Sequence, residues 1–127
     1  MDSQSVSSKH APKTIFCDID GTLVKHAPPH IASRPDYVME VLSGTIDKLI
    51  DWDRKGYNII LTTGRRESLR KVTEVQLSKA GIFYDKLIMG IGGGQRYLIN
   101  DLKPGRKYDT AISINIKRNS SIGELDI

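Results

Sequence analysis

The chain predicts an α/β fold, a parallel sheet flanked by helices, and three observations predict it. Short apolar runs rich in strand formers alternate with stretches of helical period. Glycines stand where those helices should stop. At 127 residues, 39% hydrophobic and 27% charged, the chain suits one globular domain. A chain of this size buries about two-thirds of its unfolded surface.

Residues 1–12 are polar and serine-rich and read as a flexible tail that includes His10, ahead of a single domain over 13–127. They hold no apolar h-region, so no signal peptide is expected and the cytoplasm is the expected compartment. Thr14 to Cys17 is an uninterrupted apolar run ending at Asp18, which suits a strand buried on both faces. Residues 23–43 hold Pro28, Pro29 and Pro35 without a period and read as a loop or flap. Thr45 can cap a helix with Ile46, Leu49 and Ile50 on one face and Gly56 past its end; Trp52 beside that face reads as packing. Tyr57 to Thr62 is a second strand. A helix follows from about Glu67 to Ala80, with Leu69, Val72 and Val75 on one face and Gly81 as its stop. Residues 86–89 and 97–99 are further short strands. In 111–116, Ile112, Ile114 and Ile116 alternate with polar residues, which predicts an edge strand. The link 90–96 is short for a parallel crossover, which takes a dozen or more residues, so the strand at 86–89 can be stunted.

Several function classes drop out. Cys17 is the only cysteine, which excludes a disulfide framework and a cysteine-rich zinc site; on its strand it reads as a small buried hydrophobe facing away from Asp18. No apolar run approaches the ~18 residues of a membrane span. Gly90 to Gly94 lacks the third glycine and the following helix of a dinucleotide site. His26 and His30 have metal-pair spacing, but Pro28 and Pro29 break the helix that would make it useful. The net charge is +4, with basic stretches at 65–71 and 103–118. Aromatic residues make up 6% and do not interleave with basic ones as a stacking platform, so nucleic acid is not the expected partner.

In a parallel sheet, function gathers at the carboxyl ends of the strands. Asp18 and Asp20 follow the first, Thr63 the second, and Asn100 and Asp101 the fourth. Carboxylates at such an edge are costly to desolvate unless paired or bound to a cation. Without cysteine or histidine beside them, they suit a hard, oxygen-seeking ion, Mg²⁺ being the usual one.

Phe16-Cys17-Asp18-Ile19-Asp20-Gly21-Thr22-Leu23 resembles the first motif of the haloacid dehalogenase-like (HAD) hydrolase superfamily. Ile59 to Arg65, apolar residues ending in Thr-Gly, is similar to its second, and Leu98-Ile99-Asn100-Asp101 to its fourth. The resemblance runs from about residue 13 to 116. It implies a HAD-like Rossmannoid sheet without a cap domain, and a Mg²⁺-dependent phosphatase. Asp18 matches the nucleophile, Asp20 the general acid and base, and Thr63 the hydroxyl on the transferring phosphoryl group. Asp18, Asp20 through its carbonyl, and Asp101 match the metal ligands. Gly21, Thr22, Gly64 and Arg65 flank these residues and are expected at the substrate. The third motif, a Lys or Arg, falls first to Arg96, with Lys86 and Lys103 behind it. The resemblance implies a small phosphorylated substrate such as a sugar phosphate. A phosphorylated macromolecule and a non-catalytic phosphate-binding module are the alternatives. Because a capless site is open, a homo-oligomer is expected to close it over a small substrate.

Overall fold

The computed structural model describes residues 11–127; residues 1–10 of the predicted 1–12 tail, with His10, lie outside the described residues. Strand β1 (Thr14–Asp18) is followed by a one-turn helix α1 (Pro29–Ala32), helix α2 (Thr45–Arg54) and strand β2 (Asn58–Thr62). A 3₁₀ turn at Glu67–Leu69 then runs into helix α3 (Arg70–Lys79), and strand β3 (Lys86–Ile88) ends the regular structure among the described residues.

The three strands are parallel and lie in the order β1-β2-β3. Each link between them carries a helix, as parallel pairing requires. Their register sets Cys17, Leu61 and Leu87 in one row, buried in a core with Leu49, Trp52, Leu77 and Ile82. The next row is Asp18, Thr62 and Ile88. Successive side chains alternate, so this row belongs to the other face, and Cys17 does face away from Asp18. On that second face Phe16 and Ile88 stay 56% and 42% exposed, so the sheet is sealed on one side rather than both.

Both helices end before glycines, Gly56 and Gly81, as the sequence predicts. Their buried faces differ from the expected ones. In α2 they are Thr45, Leu49 and Trp52, while Ile50 is 40% exposed. Trp52 packs as expected, although its Nε1 has no hydrogen-bond partner among the described residues. Gly44, not Thr45, is the N-cap; the Thr45 hydroxyl donates instead to the Leu23 carbonyl at 2.8 Å. In α3 the buried residues are Thr73, Gln76 and Leu77, and Val75 is exposed.

Residues 23–43 are packed rather than loose. Val24 bridges Asp20 and Val41, the Lys25 amide donates to the Glu40 carbonyl, and Leu23, Val24, Ala32 and Met39 are buried. Helix α1 starts at Pro29, whose fixed φ suits a first turn. His26 precedes it and His30 lies within it, so the two histidines share no helix face.

Two expected strands do not form. Tyr97, Leu98 and Ile99 are 82%, 59% and 90% exposed in irregular chain, and Ile112 and Ile114 are likewise exposed without strand pairing. Residues 90–96 are too few to carry the chain across a parallel sheet, so the segment beyond β3 leaves it. Apolar character without a partner strand does not make a strand.

The start of β2 is clasped to the turn before β3. The Asp85 amide donates to the Ile59 carbonyl at 2.8 Å, and Asp85 Oδ2 accepts from the Ile59 amide at 2.7 Å. Asp85→Ala strands that buried amide and should cost about 1–3 kcal/mol. Asp85→Asn keeps an acceptor and should recover most of the loss, both read by denaturant unfolding. An Asp85→Ala protein within about 0.5 kcal/mol of wild type would show that the clasp contributes nothing.

Candidate active site

β1 delivers Asp18 to the carboxyl end of the sheet, and a tight turn delivers Asp20. The turn closes through Gly21, whose amide donates to the Val24 carbonyl at 2.8 Å and whose φ of +86° is open to glycine at low cost. β2 delivers Thr63, Gly64 and Arg65 beside them. A Cβ on Gly64 would lie 2.9 Å from the Ile91 carbonyl oxygen, so only glycine lets the loop after β3 approach this closely. That loop is tied on through Gly90 N to Arg65 O at 2.7 Å and Ile91 N to Thr63 O at 3.1 Å.

The two aspartates sit in opposite circumstances. Asp20 is gripped by the Arg65 fork, Nε to Oδ2 and Nη2 to Oδ1, each at 2.9 Å. The Arg65 side chain is only 9% exposed, and its remaining nitrogen, Nη1, donates to Gln76 Oε1 at 2.6 Å and Thr73 Oγ1 at 3.3 Å. Arg65, expected at the substrate, is therefore committed to Asp20. Asp18 has no such partner; the Thr22 hydroxyl approaches its Oδ2 at 3.4 Å. Partial loss of water raises the Asp18 pKa above its ordinary 3.8, helped by the nearby charge of Asp20. The Ile19 amide, the Arg96 charge and the Thr22 hydroxyl pull the other way.

The other expected residues divide. Thr63 is buried, and its Oγ1 accepts from the Arg65 amide at 3.1 Å. Arg96 lies on the exposed loop with its charge felt at Asp18, while Nη1 donates to the Gly94 carbonyl at 3.4 Å. Asn100 and Asp101 are exposed on the segment that fails to form a strand, where the Asp101 carbonyl accepts from Thr110. Asp101 is thus not gathered with Asp18 and Asp20. Among the described residues no three His, Cys, Asp or Glu side chains form a group that could hold a metal ion. The oxygen donors at the edge, the Asp18 carboxylate and the Asp20 carbonyl, still suit Mg²⁺, which commonly takes one or two carboxylates and fills its shell with water and substrate phosphate. Cys17 plays no part: burial, then the charge of Asp18, push its thiol up to about 12.

Sequence reasoning missed Thr73 and Gln76. They are polar residues three apart on a helix, 0% and 2% exposed, where apolar ones are the usual expectation. Gln76 also donates to the carbonyls of Ala32 and Arg34, at 2.9 and 3.1 Å, and so joins Arg65 to the segment around α1. The one signal was a Gln and a Thr at helical spacing downstream of Thr-Gly-Arg. The segment 117–120, which reaches Gly21 from the far end of the chain, was also missed.

No family model matches the chain, and no curated protein matches it significantly. Solved structures do. A chain of the Pnkp1/Rnl/Hen1 complex is 30% identical over 68% of this chain, with a TM-score of 0.54. A chain of the Pnkp1/Rnl/Hen1 RNA repair complex is 31% identical over 76%, with a TM-score of 0.53. This protein spans only 30% of the first of those chains and 28% of the second. D,D-heptose bisphosphate phosphatase from B. bronchiseptica is a more distant likeness, 17% identical over 64% of this chain and 51% of its own, with a TM-score of 0.45. Among the described residues no cap domain stands between the motif segments, and no helix is long and apolar enough to cross a membrane. With the Asp-x-Asp turn and the Thr-Gly-Arg segment side by side at the end of a parallel sheet, the chain has the haloacid dehalogenase-like fold.

Proposed function

We propose that the protein is a Mg²⁺-dependent phosphomonoesterase working through an aspartyl-phosphate on Asp18. The observation that carries this reading is the contrast between the two aspartates: one open to an incoming phosphorus, the other held in a fixed orientation. In the first step an Asp18 oxygen forms a bond to phosphorus and the ester P–O bond breaks. Asp20 enters this step protonated, one oxygen swung clear of the Arg65 fork that engages both of them in the resting structure, and gives that proton to the leaving oxygen. In the second, Asp20 takes a proton from water, the water oxygen bonds to phosphorus, and the acyl-phosphate P–O bond breaks. Inorganic phosphate leaves and Asp18 is regenerated. Thr63 and Arg96 are the groups proposed to face the transferring phosphoryl oxygens. The Asp18 carboxylate and the Asp20 carbonyl would hold Mg²⁺, which when bound would supply positive charge against the repulsion between a carboxylate and a phosphate dianion.

The open edge admits a small ester such as a sugar phosphate. One observation favours a second substrate, the terminal phosphate of an RNA: both matched chains at about 30% identity belong to a complex described by its components or as an RNA repair complex. A panel of sugar phosphates and an end-phosphorylated oligoribonucleotide, assayed with Mg²⁺ and with EDTA, tests both. Phosphate release that EDTA stops and added Mg²⁺ restores is expected, and the preferred ester decides the substrate. Release from no ester, or release indifferent to EDTA, would contradict the reading.

Asp18→Asn is nearly isosteric and should abolish turnover. Activity within about tenfold of wild type, only ~1.4 kcal/mol of barrier, is incompatible with covalent catalysis. The same variant should raise the melting temperature of the metal-free protein at neutral pH. A carboxyl whose folded pKa is raised favours the fold while protonated and loses that contribution as pH rises through the folded value. The gain should therefore shrink toward zero as pH falls below the ordinary value of 3.8.

A further inference from the structure

Two of the three guanidinium groups of the 65–71 stretch are not free to meet a substrate, and the third, Arg66, is exposed. Arg65 is committed to Asp20, and Arg70 pairs with Glu67 and Glu74 and donates to the Leu87 carbonyl. A different arginine lies against the catalytic turn. A Cβ on Gly21 would stand 3.3 Å from Arg118 Cγ and 3.9 Å from its Nε, so the Arg118 stem packs on the Gly21 backbone between Asp20 and Thr22. Among the described residues, Arg118 has no hydrogen-bond or ion-pair partner.

The segment that carries Arg118 is built in place. The Asn119 amide donates to the Gly21 carbonyl at 2.7 Å, and Asn119 Oδ1 accepts from the His26 amide at 2.8 Å, bracketing the turn from both sides. Asn119 takes a φ of +64°, a left-handed conformation that asparagine tolerates better than most side chains. The Ser120 amide and hydroxyl both donate to the Lys117 carbonyl, and Ile122, 1% exposed, anchors the end of the segment in the core. A fixed backbone with one unpartnered guanidinium is what recognition of an anion asks for.

We propose that Arg118 is a substrate-binding residue that takes a second anionic group beside the scissile phosphomonoester. The inference deepens the phosphomonoesterase reading and rests on it for the identity of the first phosphate. Arg118 stands at Gly21 rather than at the nucleophile, so its anion belongs to the part of the substrate away from the transferring phosphorus. A bisphosphorylated metabolite and a nucleotide chain with a terminal phosphate both present that chemistry.

Binding measured by calorimetry without added metal tests this. The probes are fructose bisphosphate against fructose monophosphate, and an end-phosphorylated dinucleotide against the matching nucleoside monophosphate. The doubly anionic member of at least one pair should bind about tenfold more tightly, the increment of a charge-assisted contact. Arg118→Ala should bring that ratio close to one, and Arg118→Lys should retain part of it. Lys117→Ala removes the same charge from the neighbouring position and should keep the ratio. A ratio confined to the sugar pair marks a metabolite, and one confined to the nucleotide pair marks a nucleic acid. No preference in the wild type, a ratio that survives Arg118→Ala, or an equal loss in Lys117→Ala would overturn the proposal. Because nothing turns over in this measurement, a protein that hydrolyses no ester can still show the Arg118-dependent ratio. That result would fail the phosphatase reading alone.

Discussion

The pairing of Arg65 with Asp20 is the interaction on which the site depends. A guanidinium this well buried needs its donors satisfied, and here two go to Asp20 and the third nitrogen to Gln76 and Thr73. Gln76 passes the tie to the carbonyls of Ala32 and Arg34. One side chain thereby fixes the turn after β1, the end of β2, the inner face of α3 and the segment around α1 relative to one another. Removing either charged partner leaves the other poorly solvated, so the cluster holds together or fails together.

That commitment shapes what is left for chemistry. Asp18 lies one turn from the clamped pair, without a cation bound to it by hydrogen bonds, and keeps a raised pKa because the surrounding protein removes part of its water. A carboxylate in that position is improved by a metal ion or by a cationic side chain. The fold offers the charge of Arg96 from the loop after β3 and the guanidinium of Arg118 from the far end of the chain. Both approach the edge that carries Asp18 and Asp20.

The parts of the fold legible in the sequence are those specified by short-range signals. β1, β2 and β3 are apolar runs between turn residues, and α2 and α3 stop at Gly56 and Gly81. The Asp-x-Asp-Gly-Thr turn is equally local, and it places Asp18 and Asp20 as the sequence implies. Residues 97–99 and 111–116 carry the same apolar signal, but a strand needs a partner, and composition does not supply one. Asp101 joins Asp18 and Asp20 only through that missing strand. The buried face of α3 misled for the opposite reason: Thr73 and Gln76 turn inward because a buried guanidinium awaits them, which a search for apolar periodicity does not register. Arg118 and Asn119 meet Gly21 and His26 across most of the chain, and no local pattern announces such a contact.

The central claim is that Asp18 forms a bond to the phosphorus of the substrate. Quenching the protein in acid during turnover of an aryl phosphate, then digesting it for mass spectrometry, tests that most directly. The account predicts one added phosphoryl group on the peptide containing Asp18, removed by hydroxylamine as an acyl phosphate should be. Steady turnover with no adduct at any quench time, or an adduct on a serine, histidine or Cys17 that hydroxylamine leaves intact, would contradict it.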